Sequence, residues 1–434
     1  MAATEVYDIV CVGFGSAALS LAIGLYEQQP KLKVLFLEKE KRFSWQGSRL
    51  PFERSKMQSN FMQDLVTPRN PLSKFTLVNY LWSTDMLVMY TNLSAINPPR
   101  QLFSNYLNWC AEKMETTGWV KYDQDVQSIA QLSGHASARR QFQVTSRKCD
   151  GQETKIRAKT IILSQTSSPD MPKWVPYHNV GQRIFHTSEF TQHTSDLNQW
   201  NGSSLNIAVV GGNDEALDIF QYCQRLDGAK ITLLHEGPFL RLHDSNPFLT
   251  SLAAHEFSES TTQASIHPSV QHEQLHSLYE KRYTELVRKH KQKPGNSEIF
   301  PCTSVIGTSK LFDQIVLKCW NTGTDSGFCS DAFDYIFVSS RYADVKQSHL
   351  MAQLKNIIGR SEKVVNSAED EPLAPRIEGA NGAWILRDEY ATGNSFENLA
   401  LRTEQLLRTL TQYSSSESPE GYTGRRVIPE TARL

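Results

Sequence analysis

The apolar positions of the chain fall into two strand–turn–helix units, one opening near residue 7 and one near residue 205. "YDIVCVGFGSAALSLAIGLYE" reads as a buried-type strand, a glycine turn and a helix, and "KVLFLEKE" as the strand completing a βαβ unit. Residues 43–81 then lose all periodicity. They are rich in Pro, Ser and aromatics, too irregular for one helix and too apolar for a linker, and are expected to line a site. "TIILSQTSSPDMP" (160–172) is a further buried-type strand; "QWNGSSLNIAVVGG" opens the second unit, which continues into the strand "KITLLHE" (230–236). Residues 272–292 look helical and charged, "FDYIFVSSRY" (333–342) is another buried strand, and "ENLALRTEQLLRTL" (397–410) is an amphipathic closing helix.

Composition narrows the classes. With 39% hydrophobic residues and a formal net charge of −1, the chain shows no bulk electrostatic footprint for nucleic acid or a membrane surface. No apolar run is long enough to span a bilayer, and "MAATEVYDIV" lacks the basic-then-apolar pattern of a secretory signal. Seven cysteines stand singly without a CxxC pair, which suits reduced thiols in the cytoplasm; Cys110 and Cys223 are expected to be buried and inert. The chain ends Ala432-Arg433-Leu434, a variant of the Ser-Lys-Leu address, so a peroxisomal location stands beside the cytoplasmic one.

The first turn carries the clearest chemistry. Gly13, Gly15 and Ala18 give G-x-G-x-x-A directly after a strand and at the start of a helix. Gly13 permits the tight turn, Gly15 lets backbone approach a pyrophosphate, and Ala18 lets helix and strand pack closely. Glu38 ends the next strand, placed to accept hydrogen bonds from a ribose diol. The competing reading is a tight βα turn without a ligand; the agreement of strand, helix and acidic strand end favours a dinucleotide.

The stretch "FSWQGSRLPFERSKMQSNFMQDLVTPRNPLSKFTLVNYL" carries Trp45, Met57, Gln58, Phe61, Asp64, Leu65, Pro71, Ser73, Phe75, Tyr80 and Leu81 in a specific spacing. Through these residues the chain from residue 43 onward resembles the flavin-dependent N-hydroxylating monooxygenases, the ornithine and lysine hydroxylases of hydroxamate siderophore pathways; "DSNPFL" (244–249) fits the family's segment before the substrate loop. It implies FAD at the first turn with Trp45 and Gln58 near the flavin, NADPH at the second unit, and oxygenation of a neutral substrate amine through a flavin hydroperoxide. No catalytic side chain is singled out, because the cofactor supplies the reactivity. The implied architecture is α/β with two Rossmann-like domains. Residues 1–195 form the first part of an FAD domain and 201–330 an inserted NAD(P)-type domain with a helical substrate insert. Residues 331–412 complete the FAD domain, and 413–434 form a disordered tail. The implied partner is a small amine, with a homo-oligomer left open.

Several positions depart from the family pattern. Gln63 stands where the family has a lysine for the amino-acid carboxylate, and an amide cannot neutralise a carboxylate. Thr250 and Arg282 correspond to two substrate-contacting asparagines. At the second turn the family's G-x-G-x-[SA]-A becomes Gly211-Gly212-Asn213-Asp214-Glu215-Ala216, with Asn213 on a glycine position and two acids at the helix start. Such acids are also good helix N-terminal residues. Glu236 occupies a strand end where NADPH users carry arginine, and the late Ala-Thr-Gly-Tyr turn reads Ser339-Ser340-Arg341-Tyr342. These changes leave NADPH, NADH or neither as the reductant. The alternatives are therefore an amine monooxygenase, and a flavoprotein that has lost efficient NAD(P)H use: an oxidase, an isomerase or a binding protein. A remote third is a zinc hydrolase through "HEQLH" (272–276), which reads better as a chance match on a solvated helix, so no metal is expected.

Overall fold

The computed structural model describes residues 5–45, 56–57, 59–93, 95–132, 141–166, 168–169, 171–176, 183–200, 205–238, 240–242, 269–270, 276, 278–281, 283, 296–340, 342–343, 349–358, 378–380, 382–388 and 396–416. Two largely parallel sheets organise them, each with a glycine turn at the carboxyl end of a central strand.

The first sheet is built on β1 (Val6–Val12) and β2 (Val34–Leu37), joined by helix α1 (Ser16–Gln28). Both strands are nearly continuous apolar runs, as a parallel strand covered on two faces requires. The period of two then sorts their side chains. Ile9, Cys11, Val34 and Phe36 face the cluster that holds α1, while Val10, Val12, Leu35 and Leu37 face the helix His349–Ile358 through Met351, Leu354 and Ile358. β3 (Val120–Lys121) extends the sheet beyond β2. β4 (Asp125–Leu132) and β5 (Gln141–Arg147) form an antiparallel meander leading into β6 (Glu153–Thr166), which returns parallel to β1. The strand Ala383–Asp388, from the far end of the chain, pairs parallel with β6, and Glu378–Ala380 closes the edge. The closing helix spans Phe396–Ser416, and its Leu406, Leu407 and Leu410 join the α1 cluster.

The second sheet has the parallel order Ser297–Phe300, Ala229–Leu234, Leu205–Val210, Tyr335–Val338, Ile184–His186. Its last two strands lie outside the 201–330 span expected for this unit. The second sheet thus draws Ile184–His186 and Tyr335–Val338 from segments expected in the FAD domain. The reason is pairing at long range: Val210, Val338 and His186 are adjacent strand ends although their segments are far apart in sequence. A three-stranded antiparallel meander, Thr303–Leu311, Gln314–Asn321 and Ser326–Phe333, packs Val305, Ile315, Leu317 and Phe333 against Ala208, Ile336 and Val338. Among the described residues no helix is long and apolar enough to cross a membrane. The 413–434 tail beyond Ser416, including Ala432–Leu434, lies outside the described residues.

Candidate active site

Gly13 ends the first turn at φ +96°, and its N–H donates to the Leu37 carbonyl at 2.8 Å. A Cβ at this position would stand 2.5 Å from the carbonyl oxygen of Ser164 on β6, so sterics and backbone both demand glycine. Gly15 is the N-cap of α1 without a side-chain cap, and the first turn of α1 holds no acidic residue. The positive end of the helix dipole is therefore not neutralised by its own first turn, which is the arrangement that receives a pyrophosphate. Ala18 is fully buried under the helix. Glu38 follows β2 and accepts two backbone N–H bonds, from Phe14 to Oε2 at 2.6 Å and from Glu40 to Oε1 at 3.0 Å. Each carboxylate oxygen keeps a second lone-pair direction, so the acid that braces the turn can also accept ribose hydroxyls.

The aperiodic stretch is stapled in place by side chains. Asp64, fully buried, accepts from Val66 N (2.8 Å), Thr67 N (2.6 Å), Thr67 Oγ1 (2.8 Å) and Leu77 N (2.6 Å), gathering its own loop and the start of the helix Leu77–Ser83. Burial pushes the Asp64 carboxyl up, and its hydrogen bonds pull it back down. Ser20 Oγ of α1 donates to Leu65 O at 2.9 Å, Ser73 Oγ to Glu27 Oε1 at 2.5 Å, and the buried Arg69 guanidinium meets Glu27 Oε2 at 3.4 Å. Tyr106 on the helix Arg100–Glu115 donates to Phe75 O at 2.9 Å. Asp64, Leu65, Ser73 and Phe75, which carried the resemblance, are thus scaffold.

That scaffold carries the candidate residues Trp45 and Gln63. Trp45 is buried with its ring centroid 5.8 Å from Phe103 and 6.0 Å from Phe396, the first residue of the closing helix. Met57 is fixed by Pro98 O (2.8 Å from its N) and by Asn97 Nδ2 (3.0 Å from its O). Gln63 accepts from Asn60 N at 3.0 Å and donates through Nε2 to Glu397 Oε2 at 2.5 Å. Trp45, Gln63 and the first turn of the closing helix therefore meet in one place. Glu397 was not singled out from sequence; its only local signal is that of an acid in a helix first turn.

The second turn repeats the first in backbone and differs in its filling. Gly211, at φ +138°, donates its N–H to Leu234 O at 2.8 Å, as Gly13 does to Leu37. A Cβ on Gly211 would lie 2.8 Å from Ser339 Cβ, so the Ser339-Ser340 turn packs directly on it. Asn213 is the N-cap of the helix Asp214–Cys223: its Oδ1 accepts from Ala216 N at 3.0 Å and from Ser339 Oγ at 2.7 Å. Asp214 is buried, and Glu215 accepts from Thr187 Oγ1 at 3.0 Å. Burial raises the Glu215 carboxyl, with nearby Arg100 pulling it back down. The strand ends at Leu234, not at 236 as the pattern suggested, so His235 is the counterpart of Glu38 and Glu236 stands exposed one place further. His235 is buried, which lowers its pKa.

Gln58, Thr250, Arg282, Arg341 and the 244–249 segment lie outside the described residues, as do His272 and Glu273 of "HEQLH". His276 is exposed on a helical turn, 3.8 Å from Glu280, and no cluster of three metal-ligating side chains occurs among the described residues. Cys110 and Cys223 are buried, and burial pushes both thiols up, in keeping with inert thiols.

Comparison with known proteins matches residues 5–344 to the L-lysine 6-monooxygenase/L-ornithine 5-monooxygenase family. The L-ornithine N(5)-monooxygenase of Ajellomyces capsulatus is 30% identical over 372 residues, covering 81% of this chain and 78% of that protein. The L-ornithine N(5)-oxygenase of Arthrobotrys oligospora is 29% identical over 360 residues, covering 78% and 73%. Among solved structures, ornithine hydroxylase PvdA from Pseudomonas aeruginosa superimposes with a TM-score of 0.77 at 23% identity, over 94% of this chain and 100% of that one. The Kutzneria sp. 744 ornithine N-hydroxylase with reduced FAD, NADP+ and L-ornithine gives the same TM-score, identity and coverage. These likenesses show the fold with two Rossmann-like domains.

Proposed function

Because the chain belongs to the L-lysine 6-monooxygenase/L-ornithine 5-monooxygenase family, we propose that it is an FAD-dependent monooxygenase hydroxylating the nitrogen of a small amine. The observation that carries the reading is the first glycine turn. A helix N-terminus with no cap of its own, a glycine held by Ser164 and a braced Glu38 fit a dinucleotide pyrophosphate and ribose. Bound there, FAD supplies the oxygen activation. The chain's own part is positional. Gly13, Gly15 and Ala18 shape the cradle, Trp45 gives an apolar wall, and Gln63 with Glu397 orients the amine's far end.

A second reading is favoured by one observation, the Asn213 cap. It occupies Ala216 N, a donor that a nicotinamide pyrophosphate would need at the second turn. That supports a flavoprotein whose flavin NAD(P)H reduces slowly. The test is direct. Purified protein should be yellow with bound FAD, and with NADPH and oxygen it should convert an amine to a hydroxylamine. FAD-loaded protein that yields hydrogen peroxide and no hydroxylamine from any amine, even after chemical reduction, would leave the oxidase-type reading instead.

A further inference from the structure

Resting on the N-monooxygenase reading, we propose that the substrate is an aliphatic diamine whose non-reacting ammonium is held by Glu397, and not an amino acid held by its carboxylate. The observation is the pair Gln63–Glu397, closed at 2.5 Å between residues 334 positions apart. By the family resemblance, position 63 is where a lysine would meet a substrate carboxylate. Here it is a neutral amide, and that amide is already donated to a carboxylate. The sign of the local charge is thereby reversed.

Three further features fix that charge. Glu397 stands in the first turn of the closing helix, where the dipole favours an anion. Among the described residues, no lysine or arginine forms an ion pair with it, so the charge is left for a ligand to meet. Gln63 is itself held by Asn60 N at 3.0 Å, which aims its amide at the carboxylate. An amino-acid carboxylate placed at Gln63 would lie beside Glu397 with no cation between them, a like-charge contact that disfavours binding. A diamine meets the site with the right charges: its ammonium on Glu397, its neutral amine toward the flavin. Behind the pair, a buried aromatic cluster fixes the first turn of the closing helix. Trp45, Phe103 and Phe396 form one aromatic cluster, with Phe103 and Phe396 ring centroids 4.6 Å apart.

The test uses FAD-loaded full-length protein and four probes: 1,4-diaminobutane, 1,5-diaminopentane, L-ornithine and L-lysine. Binding is measured by calorimetry, and hydroxylamine is assayed after dithionite reduction and exposure to oxygen, so nicotinamide use does not enter. One of the diamines should bind at least about tenfold more tightly than either amino acid and give the hydroxylamine. Glu397→Gln, nearly isosteric, should weaken diamine binding about tenfold or more while leaving the flavin spectrum unchanged. Tighter binding and turnover of L-ornithine or L-lysine would overturn the diamine assignment and leave the monooxygenase reading standing. So would diamine affinity unchanged in Glu397→Gln. Hydroxylamine from none of the four, with flavin fully reduced and reoxidised, would overturn this inference; the monooxygenase reading falls only when no amine is hydroxylated.

Discussion

Asn213 Oδ1 accepts a hydrogen bond from Ala216 N at 3.0 Å, so the second glycine turn closes on a side chain of its own. The first turn, with Gly15 at the same place, has no such cap. Asn213→Gly should therefore release Ala216 N and Ser339 Oγ for phosphate at small cost, since glycine is itself tolerated at an N-cap, with a loss of only about a few tenths of a kcal/mol. We expect slow flavin reduction by wild type with either nicotinamide, and severalfold faster reduction in the variant, measured anaerobically by stopped flow. Changing Asp214 and Glu215 as well should not add to the gain. Asp214 is buried and Glu215 is bound to Thr187, so their replacement should mainly lower stability. Rapid, saturable reduction of wild type at micromolar NADPH would show that the cap does not obstruct the nucleotide.

The equivalence of Gly13–Leu37 and Gly211–Leu234 contacts also bears on cofactor choice. It puts buried His235 at the strand end where a bound nucleotide's ribose would lie, with exposed Glu236 one place further. An acid there repels a 2′-phosphate, and a guanidinium pairs with it. In the Asn213→Gly background, Glu236→Arg should raise the NADPH-to-NADH ratio of apparent affinities about tenfold. An unchanged ratio would place the adenosine ribose away from Glu236.

The parts of this molecule that were legible in sequence are those encoded within one short window. The strand–turn–helix around Gly13, the acidic strand end at Glu38 and the apolar face of the closing helix each follow from local spacing. Strand partnership was not legible. Ile184–His186 and Tyr335–Val338 look like any buried strand, and only long-range pairing assigns them to the second sheet. The site divides in the same way. Gln63 could be flagged because one position departs from a pattern, whereas its partner Glu397 lies 334 residues away and carries no pattern at all. Asp64 was visible as a motif residue, but its four hydrogen bonds depend on how the loop turns back to Leu77.

Asp64 gives a stability prediction. Its carboxylate satisfies buried donors from Val66, Thr67 and Leu77, and removing it strands all of them. Asp64→Ala should cost roughly 3 kcal/mol or more, since each orphaned buried donor carries a desolvation penalty. Chemical denaturation should show the loss, accompanied by weaker flavin retention because the 57–77 scaffold loosens. A variant within about 0.5 kcal/mol of wild type, the range of a surface change, would remove Asp64 from the scaffold.

His186 predicts an acid-sensitive step. It is fully buried at a strand end, its Nδ1 accepts from Ser188 N at 3.1 Å, and burial pushes its pKa down to about 4. The folded state thus favours neutral imidazole, while the unfolded chain titrates near the usual histidine value of about 6.5. Its stability contribution is therefore fully present above about pH 6.5 and is lost as pH falls toward the folded value, on the order of 3 kcal/mol. His186→Asn keeps an N-cap acceptor and removes the titration. Melting curves from pH 7 to 4 should fall less steeply in the variant; parallel slopes would assign the acid sensitivity to other groups.

The last prediction concerns the charge at position 63. From the family pattern alone, Gln63→Lys should rebuild a carboxylate receptor and favour ornithine-like amino acids. The geometry says otherwise, because the new ammonium would sit against Glu397, which now lies 2.5 Å from the Gln63 amide. A lysine there is neutralised by the carboxylate before any substrate arrives. The single variant should therefore lose diamine binding about tenfold and gain little for ornithine, since its cation is already paired. Adding Glu397→Gln frees that cation. The double variant should bind L-ornithine at least about tenfold more tightly than wild type or either single variant, a non-additive gain diagnostic of two groups in contact. Calorimetry on the four FAD-loaded proteins completes the cycle. If Gln63→Lys alone brings the full ornithine gain, Glu397 does not control the charge at position 63, and its contact with Gln63 is structural only.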